Sequence, residues 1–257
     1  MAALYSSVDV VSDLSVILQD PAVAAIVVAT HAPSHFEVAE AALRAGWDVF
    51  VEKPLCLSGD QAATLCRLAE ESGRIPMVGH LLLYHPAVER LKSLIDDGEL
   101  GDVLCIYAPR VNLGVVRREE NAWWSLAPHD ISVANYLLGS FPQAVSATGS
   151  SYLRSERGIE DVVFATLHYP DARMAHIHVS WLDPHRTRKL TVVGDRKMAV
   201  FDDTSADQKL AVFDKAVRTR KAPLADGASG LQVVRALEGG SASLAEGGAR
   251  IELPGGR

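Results

Sequence analysis

Asp48-Val-Phe-Val-Glu-Lys-Pro-Leu55 is the stretch on which the reading of this chain turns. Val49, Phe50 and Val51 favour a pleated, packed environment, so residues 48–51 predict a short buried strand. Pro54 cannot donate to a ladder and pushes the residue before it out of the helical region, so the strand stops at Glu52-Lys53. A lysine is thereby set at the carboxyl end of a strand, the edge at which open α/β sheets bind ligands. The bland alternative is a solvated lysine on an exposed strand end. The octapeptide alone leaves both open.

The flanking segments favour the sheet. Residues 24–29 form a continuous apolar run, the mark of a strand covered on both faces as in a parallel sheet. A helix is predicted over residues 36–44, with Ala39, Ala42 and Leu43 on one face and Gly46 as its stop. After the Glu-Lys-Pro corner, Ser58 caps a helix over 60–71, closed by Gly73, and residues 75–79 read as a further strand. A short strand over 8–11 and a short helix over 14–18 precede them. This alternation predicts right-handed βαβ crossovers and a parallel sheet.

From about residue 85 the pattern changes. Residues 86–97 form an amphipathic helix, 103–111 a strand, and 128–138 a helix with Pro128 at its first position and Gly139 at its end. Strands follow over 144–148, 161–169, 173–181, 189–193 and 198–201, the last two joined by a Gly194-Asp195-Arg196-Lys197 hairpin. A short helix over 230–238 and a strand over 250–253 close the chain. The expected fold class is α/β plus α+β: an incomplete Rossmann-like parallel sheet over 1–82, then a largely antiparallel sheet with helices on one face over 83–257.

Composition bounds the function. The chain has 257 residues, 48% of them hydrophobic and 22% charged, which suits a globular protein with a real core. A net charge of −7 argues against nucleic acid as a partner. No apolar run approaches membrane-spanning length and no basic-then-apolar leader opens the sequence. The three cysteines are scattered without a Cys-x-x-Cys, as expected of reduced thiols in a cytoplasmic protein.

Five motifs carry a resemblance. They are Ala29-Thr-His-Ala-Pro-Ser-His35, Phe50-Val-Glu-Lys-Pro-Leu55, Met77-Val-Gly-His80, Ala127-Pro-His-Asp-Ile131 and the hairpin Val192-Val-Gly-Asp-Arg-Lys-Met-Ala-Val200. In this order and spacing the chain resembles the Gfo/Idh/MocA family of NAD(P)-dependent oxidoreductases, which mostly act on sugars and cyclitols. Asn112-Leu-Gly114, Arg117-Arg-Glu-Glu-Asn121 and the 124–131 stretch are similar to the branch acting on UDP-N-acetyl-hexosamines at the 3-hydroxyl. The likeness covers about 10–201 and returns weakly at 215–246.

The sequence departs from the family in two places. No Gly-x-Gly occurs in the 257 residues, so the pyrophosphate-binding turn is not found, and NAD cannot be told from NADP. The strand at 24–29, normally central, would become an unpaired edge. Near 209–215 the family usually carries another strand, and here the segments look spliced end to end. The rival expectation is accordingly a cofactor-free remnant that keeps a sugar-binding or subunit-pairing surface.

The resemblance implies site residues. Lys53 would hydrogen-bond the reacting hydroxyl, and His129, set at a helix start that disfavours its protonation, would serve as the base. Many family members carry an Asp four residues before that histidine, where this chain has Ser125. Thr30, Pro33, His35 and Glu52, with Lys53, are expected around the nicotinamide half of NAD or NADP. Arg110, Asn112 and Arg117 suit a diphosphate through paired donors, and Trp181 and His185 are candidates to line a sugar. His176 and His178 alternate on one strand face, but no metal site is expected. The expected partners are a sugar or nucleotide-sugar and further copies of the chain, through the open face of the second sheet.

Overall fold

The computed structural model describes residues 8–114, 117, 120–153 and 158–214. Helix α1 (Leu14–Leu18) leads into a parallel sheet of β1 (Ala25–Val28), β2 (Asp48–Val51) and β3 (Pro76–Val78), in that spatial order. Helix α2 (His35–Arg44) connects β1 to β2, and α3 (Gly59–Ser72) connects β2 to β3. Ala39, Ala42 and Leu43 of α2 and Leu65 and Ala69 of α3 pack on Ile26, Val28, Val49 and Val51. The side chain of Ser58 makes no capping hydrogen bond to α3, whose start it occupies. The chain leaves α3 through Gly73 at φ +63°, a left-handed conformation that favours glycine.

Among the described residues, only one face of this sheet is covered. Ile26 and Val28 are buried, but Val27 is 67% exposed on the other side, as are Ile75 and Met77 in part. The apolar run at 24–29 is thus half-buried, not covered on both faces, and β1 is an edge among the described residues. The strand expected at 8–11 does not form; Val8, Val10 and Val11 are exposed in irregular chain.

Helix α4 (Pro86–Asp96) leads to the second sheet, which contains β4 (Val103–Leu113), β5 (Ala144–Ser150), β6 (Val162–His168), β7 (Met174–Ser180), β8 (Leu182–Gly194), β9 (Lys197–Asp202) and β10 (Leu210–Asp214). The spatial order is β10-β9-β8-β4-β7-β6-β5, antiparallel throughout except for the parallel β4–β7 pair. The sheet is therefore mixed, since β4 and β7 run the same way through the intervening helix and hairpin. Strand β10 is present where the sequence suggested a splice. Strand β8 begins seven residues before the expected 189. Helix α5 (Ala122–Leu138) crosses the inner face, and Val133, Ala134 and Leu137 meet Ile106, Ile177 and Val179 in the larger core.

Helix α5 also begins six residues before the expected 128. Asn121 caps it, its side-chain oxygen accepting from the Trp124 N–H at 3.0 Å. Pro128 lies inside the helix, not at its start. The expected helix and strand at 230–238 and 250–253 lie outside the described residues. No helix among the described residues is long and apolar enough to cross a membrane.

The β8–β9 hairpin is held against the turn before β4: Arg196 N–H donates to the Leu100 carbonyl at 3.0 Å and Asp195 N–H to the Asp102 carbonyl at 2.9 Å. A Cβ on Gly194 would run into the Leu100 carbonyl, which is main chain and cannot step aside. Gly194→Ala should therefore cost about 1–3 kcal/mol, as overpacking does, read as a lowered midpoint in chemical denaturation.

Candidate active site

Two main-chain corners bring the site together. At the carboxyl ends of β1 and β2, the His35 ring bridges two carbonyls, with Nδ1 2.7 Å from Pro54 O and Nε2 3.0 Å from Thr30 O. The ring is 1% exposed. His35 therefore ties the rim of the sheet together from beneath and does not face a ligand. Thr30 and Pro33 are exposed at that rim, and the Thr30 hydroxyl accepts from Ser34 Oγ at 2.7 Å. Glu52 is half-buried beside Lys53 and packs over Gly79, where a Cβ would stand 3.1 Å from Glu52 Oε2.

The Lys53 ammonium reaches across to the second sheet. Its Nζ donates to the Ser125 carbonyl of α5 at 3.0 Å. Ser125 lies one helical turn before His129, so the amine docks on the turn that carries the imidazole. Pro128, lacking an N–H, breaks the helix ladder at this same turn.

Charge and burial then set the protonation of these groups. Burial pulls His129 down to about 4, helped by the positive charges of Arg110, Lys53, His80 and Arg188. The expectation that the His129 proton is disfavoured holds in direction, but its cause differs, because His129 sits mid-helix away from the dipole's positive end. Burial also lowers Lys53 from the ordinary 10.5, with Glu120 opposing and Arg117 assisting that shift. His80, at the end of β3, is lowered by burial and by Lys53. Its Nδ1 is buried with no hydrogen-bond partner among the described residues. Lys53, His80 and His129 form one cluster of basic groups, and His80 was legible beforehand only as part of a motif.

Other expected residues fall into distinct places. Arg110 is 6% exposed and forks onto Asp130, Nε to Oδ2 at 2.7 Å and Nη2 to Oδ1 at 2.9 Å. Its donors face a carboxylate of the protein, not an open diphosphate site. Trp181 is 3% exposed within the larger core and lines no ligand surface. His185 is exposed on β8, its N–H bound to Asp183 Oδ1 at 2.8 Å. Asn112 is half-buried on β4. Arg117 is largely exposed, Nε 3.0 Å from Glu120 Oε1, and both members of that pair act on Lys53. His178 stacks on Phe164 at 4.3 Å and His176 Nδ1 lies 3.2 Å from Thr166 Oγ1.

A cavity of about 720 Å³ is lined by His80 of this cluster and by the chain neighbours Pro54 and Pro128, whereas Lys53 and His129 themselves are not among its lining residues. Pro54 and His80 line it at the rim, Pro128 and Ser132 on α5, and Trp124 and Tyr136 are among its aromatic lining. The volume is in the range of small-molecule sites.

Comparison with known proteins identifies the family and the fold. The model described as "Oxidoreductase family, NAD-binding Rossmann fold" matches residues 2–80, and the "GFO/IDH/MocA C-terminal domain" matches residues 88–200. The chain belongs to the Gfo/Idh/MocA family. It is 28% identical over 179 residues to the 2,7-anhydro-N-acetylneuraminate hydratase of Mediterraneibacter gnavus, covering 65% of this chain and 48% of that protein. It is 29% identical over 138 residues to the scyllo-inositol 2-dehydrogenase (NAD(+)) of Bacillus subtilis, covering 52% of this chain and 40% of that one. The UDP-N-acetylglucosamine 3-dehydrogenase structure from Acidithiobacillus ferrooxidans superposes with a TM-score of 0.72 at 22% identity, covering 83% of this chain and 67% of that one, which shows the shared fold. The chain spans about half the length of the curated relatives it matches.

The residues of this Gfo/Idh/MocA chain fit the nicotinamide half of a dinucleotide in part. Thr30 and Pro33 are exposed after β1, and the half-buried Lys53 cation follows β2 at the same carboxyl edge of the sheet. The 257 residues hold no glycine-rich turn for the pyrophosphate.

The state of His129 is testable without any ligand. A buried imidazole whose folded pKa lies below the unfolded value of 6.5 binds fewer protons when folded, so stability is full above 6.5 and falls as pH drops towards 4. The loss amounts to about 3 kcal/mol for a shift to about 4. Urea denaturation at pH 7 and pH 4.5 should show most of this loss, and His129→Gln should remove the largest share of it.

Proposed function

We propose that this chain carries the reacting lysine–histidine pair of an NAD-linked dehydrogenase that oxidises a secondary hydroxyl of a sugar or nucleotide-sugar. One observation supports the reading above the rest: the Lys53 ammonium is docked at 3.0 Å on the α5 turn that presents His129. A hydroxyl between them finds a donor to its oxygen and an acceptor for its proton.

The roles follow from the charges. Lys53 donates a hydrogen bond to the substrate oxygen and stabilises the alkoxide that develops there. His129, neutral across the physiological range, accepts the hydroxyl proton. Buried beside Arg110 and Lys53, its protonated form is a readier proton donor than an ordinary imidazolium, so it passes the proton on instead of storing it. When bound, the nicotinamide supplies the hydride acceptor. Thr30, Pro33 and Glu52 would border it, and either NAD or NADP is compatible with them. His80 would add its ring to the wall of the cavity that receives the substrate. Trp124 and Tyr136 give the cavity aromatic walls suited to the C–H face of a sugar ring.

For a nucleotide-sugar, possession of a diphosphate site falls to Arg117, whose guanidinium is exposed, with Asn112 and His185 as further polar candidates. A UDP-amino sugar oxidised at the 3-hydroxyl is the finest form of this reading. Copies of the chain would associate through the outer face of the second sheet, where Tyr107, Phe164, Met174 and Phe213 are between 43% and 50% exposed.

Calorimetric titration with NAD+, NADH and NADP+ tests cofactor binding, and no heat at millimolar cofactor would favour a remnant that binds sugar or pairs subunits alone. Where turnover is measurable, Lys53→Met and His129→Asn should each lower kcat by about 10²–10⁴-fold with little change in KM. The pH profile should keep its acid limb near pH 4 rather than 6.5. Its alkaline limb should fall below 10.5, as Lys53 loses its proton early. Unchanged turnover in both variants would overturn the assignment.

A further inference from the structure

Outside the reacting pair, the most fully built polar arrangement among the described residues lies under α5. Arg110 projects from the inner face of β4 at the same parity as Ile106 and Ala108, which are core. Asp130 projects from α5 towards the sheet, and the two side chains are 7% and 3% exposed. Both guanidinium-to-carboxylate bonds are short and nearly parallel, at 2.7 and 2.9 Å, which fixes orientation as well as distance. Burial pushes the Asp130 carboxyl up, and the guanidinium acts against that shift.

A second pair extends the arrangement across the sheet. Arg188 of β8 is the register partner of Arg110. Like charges placed opposite one another on adjacent strands repel. Here each has its own carboxylate: Arg188 Nη1 lies 3.6 Å from Asp203 Oδ2, and the Asp203 N–H donates to the Arg188 carbonyl at 2.9 Å. In the order Asp130–Arg110–Arg188–Asp203 the two arginines stand side by side and a carboxylate flanks each of them, and the end on α5 is the residue next to His129.

We propose that the Arg110–Asp130 fork is a positioning device, which locks the rotation of α5 on the sheet and so aims His129 at the hydroxyl held by Lys53. The proposal rests on the lysine–histidine reading and adds a reason for the placement of the imidazole. A helix can roll on apolar contacts at little cost, but two parallel hydrogen bonds to a rigid fork resist rolling. At a side-chain radius of about 6 Å, a roll of about 30° displaces a side-chain tip by about 3 Å. A misplacement of about 1 Å is enough to lower a rate by about a hundredfold. Apolar packing holds α5 down; the fork fixes which way it faces.

The test uses the full chain and two variants. Arg110→Met with Asp130→Leu replaces the buried pair by apolar side chains, an exchange that often preserves stability. Arg110→Lys keeps the charge and loses the fork. The first readout is the His129 ring resonance in isotope-labelled protein, with its titration midpoint. The groups facing that ring are Lys53 after β2, His80 after β3, Arg110 on β4 and Arg188 on β8. In the double variant the melt should stay cooperative, the ring resonance should shift or split, and the midpoint should rise with loss of the Arg110 charge. In Arg110→Lys the resonance should shift although the charge remains. The second readout is turnover: both variants should lose about 10- to 100-fold in kcat with KM nearly unchanged.

A His129 resonance, midpoint and kcat left as in the parent by the double variant would overturn the proposal. If the double variant does not fold, an unshifted ring resonance in Arg110→Lys overturns it by itself. A parent chain without turnover would count against the dehydrogenase reading only, because the ring resonance still decides whether the fork aims His129.

Discussion

An ammonium-to-carbonyl bond, from Lys53 to Ser125 at 3.0 Å, joins the rim of the parallel sheet to the helix lying on the mixed one. Each sheet has its own apolar core, and apolar contact is indifferent to small slips between them. A directional bond from a half-buried cation is not. The amine is held from behind as well, since the residue after it has its carbonyl bound to the His35 ring. The approach of the two sheets and the location of a charge in the cleft are thus one constraint.

That constraint has an electrostatic consequence. Lys53, Arg110, Arg188 and His80 all act on His129 in the same sense as its burial, so the imidazole is kept neutral. The protein tolerates this concentration of positive charge because the arginines are matched: Asp130 answers Arg110 and Asp203 answers Arg188. Lys53 has no carboxylate in direct contact among the described residues and satisfies its ammonium on a main-chain oxygen. Its charge is therefore not matched by a direct ion pair, unlike those of Arg110 and Arg188. A buried ion pair contributes little net stability against apolar side chains of like volume, so its value here lies in geometry.

Much of the fold was legible in the sequence because local rules and the final packing agree. The 48–51 strand, its termination before Pro54 and the helices closed by Gly46 and Gly73 occur as expected. Proline and glycine act through steric limits that need no distant partner. Lys53 and His129 were legible through motifs. Three features were not. Pro128 suggested a helix start, yet Asn121 caps the helix a turn and more earlier, and the surrounding core outweighs the interrupted ladder. Arg110 read as a ligand-facing cation because the parity that turns it inwards depends on the register of β4 beneath α5. His35 read as a rim residue because nothing local discloses that two carbonyls, one of them nineteen residues away, close over its ring.

The sequence by itself determined where the strands and helices punctuate the chain, which family it belongs to, and which lysine and histidine stand in the motifs that make them candidates. Those properties reside in short segments, where sterics and side-chain type suffice. Only the tertiary structure decided that Lys53 lands on the turn bearing His129, that burial and four neighbouring positive groups set the state of that imidazole, and that Arg110 serves Asp130. Electrostatic interaction depends on distances through space and on the exclusion of water, and neither exists until the two sheets have packed.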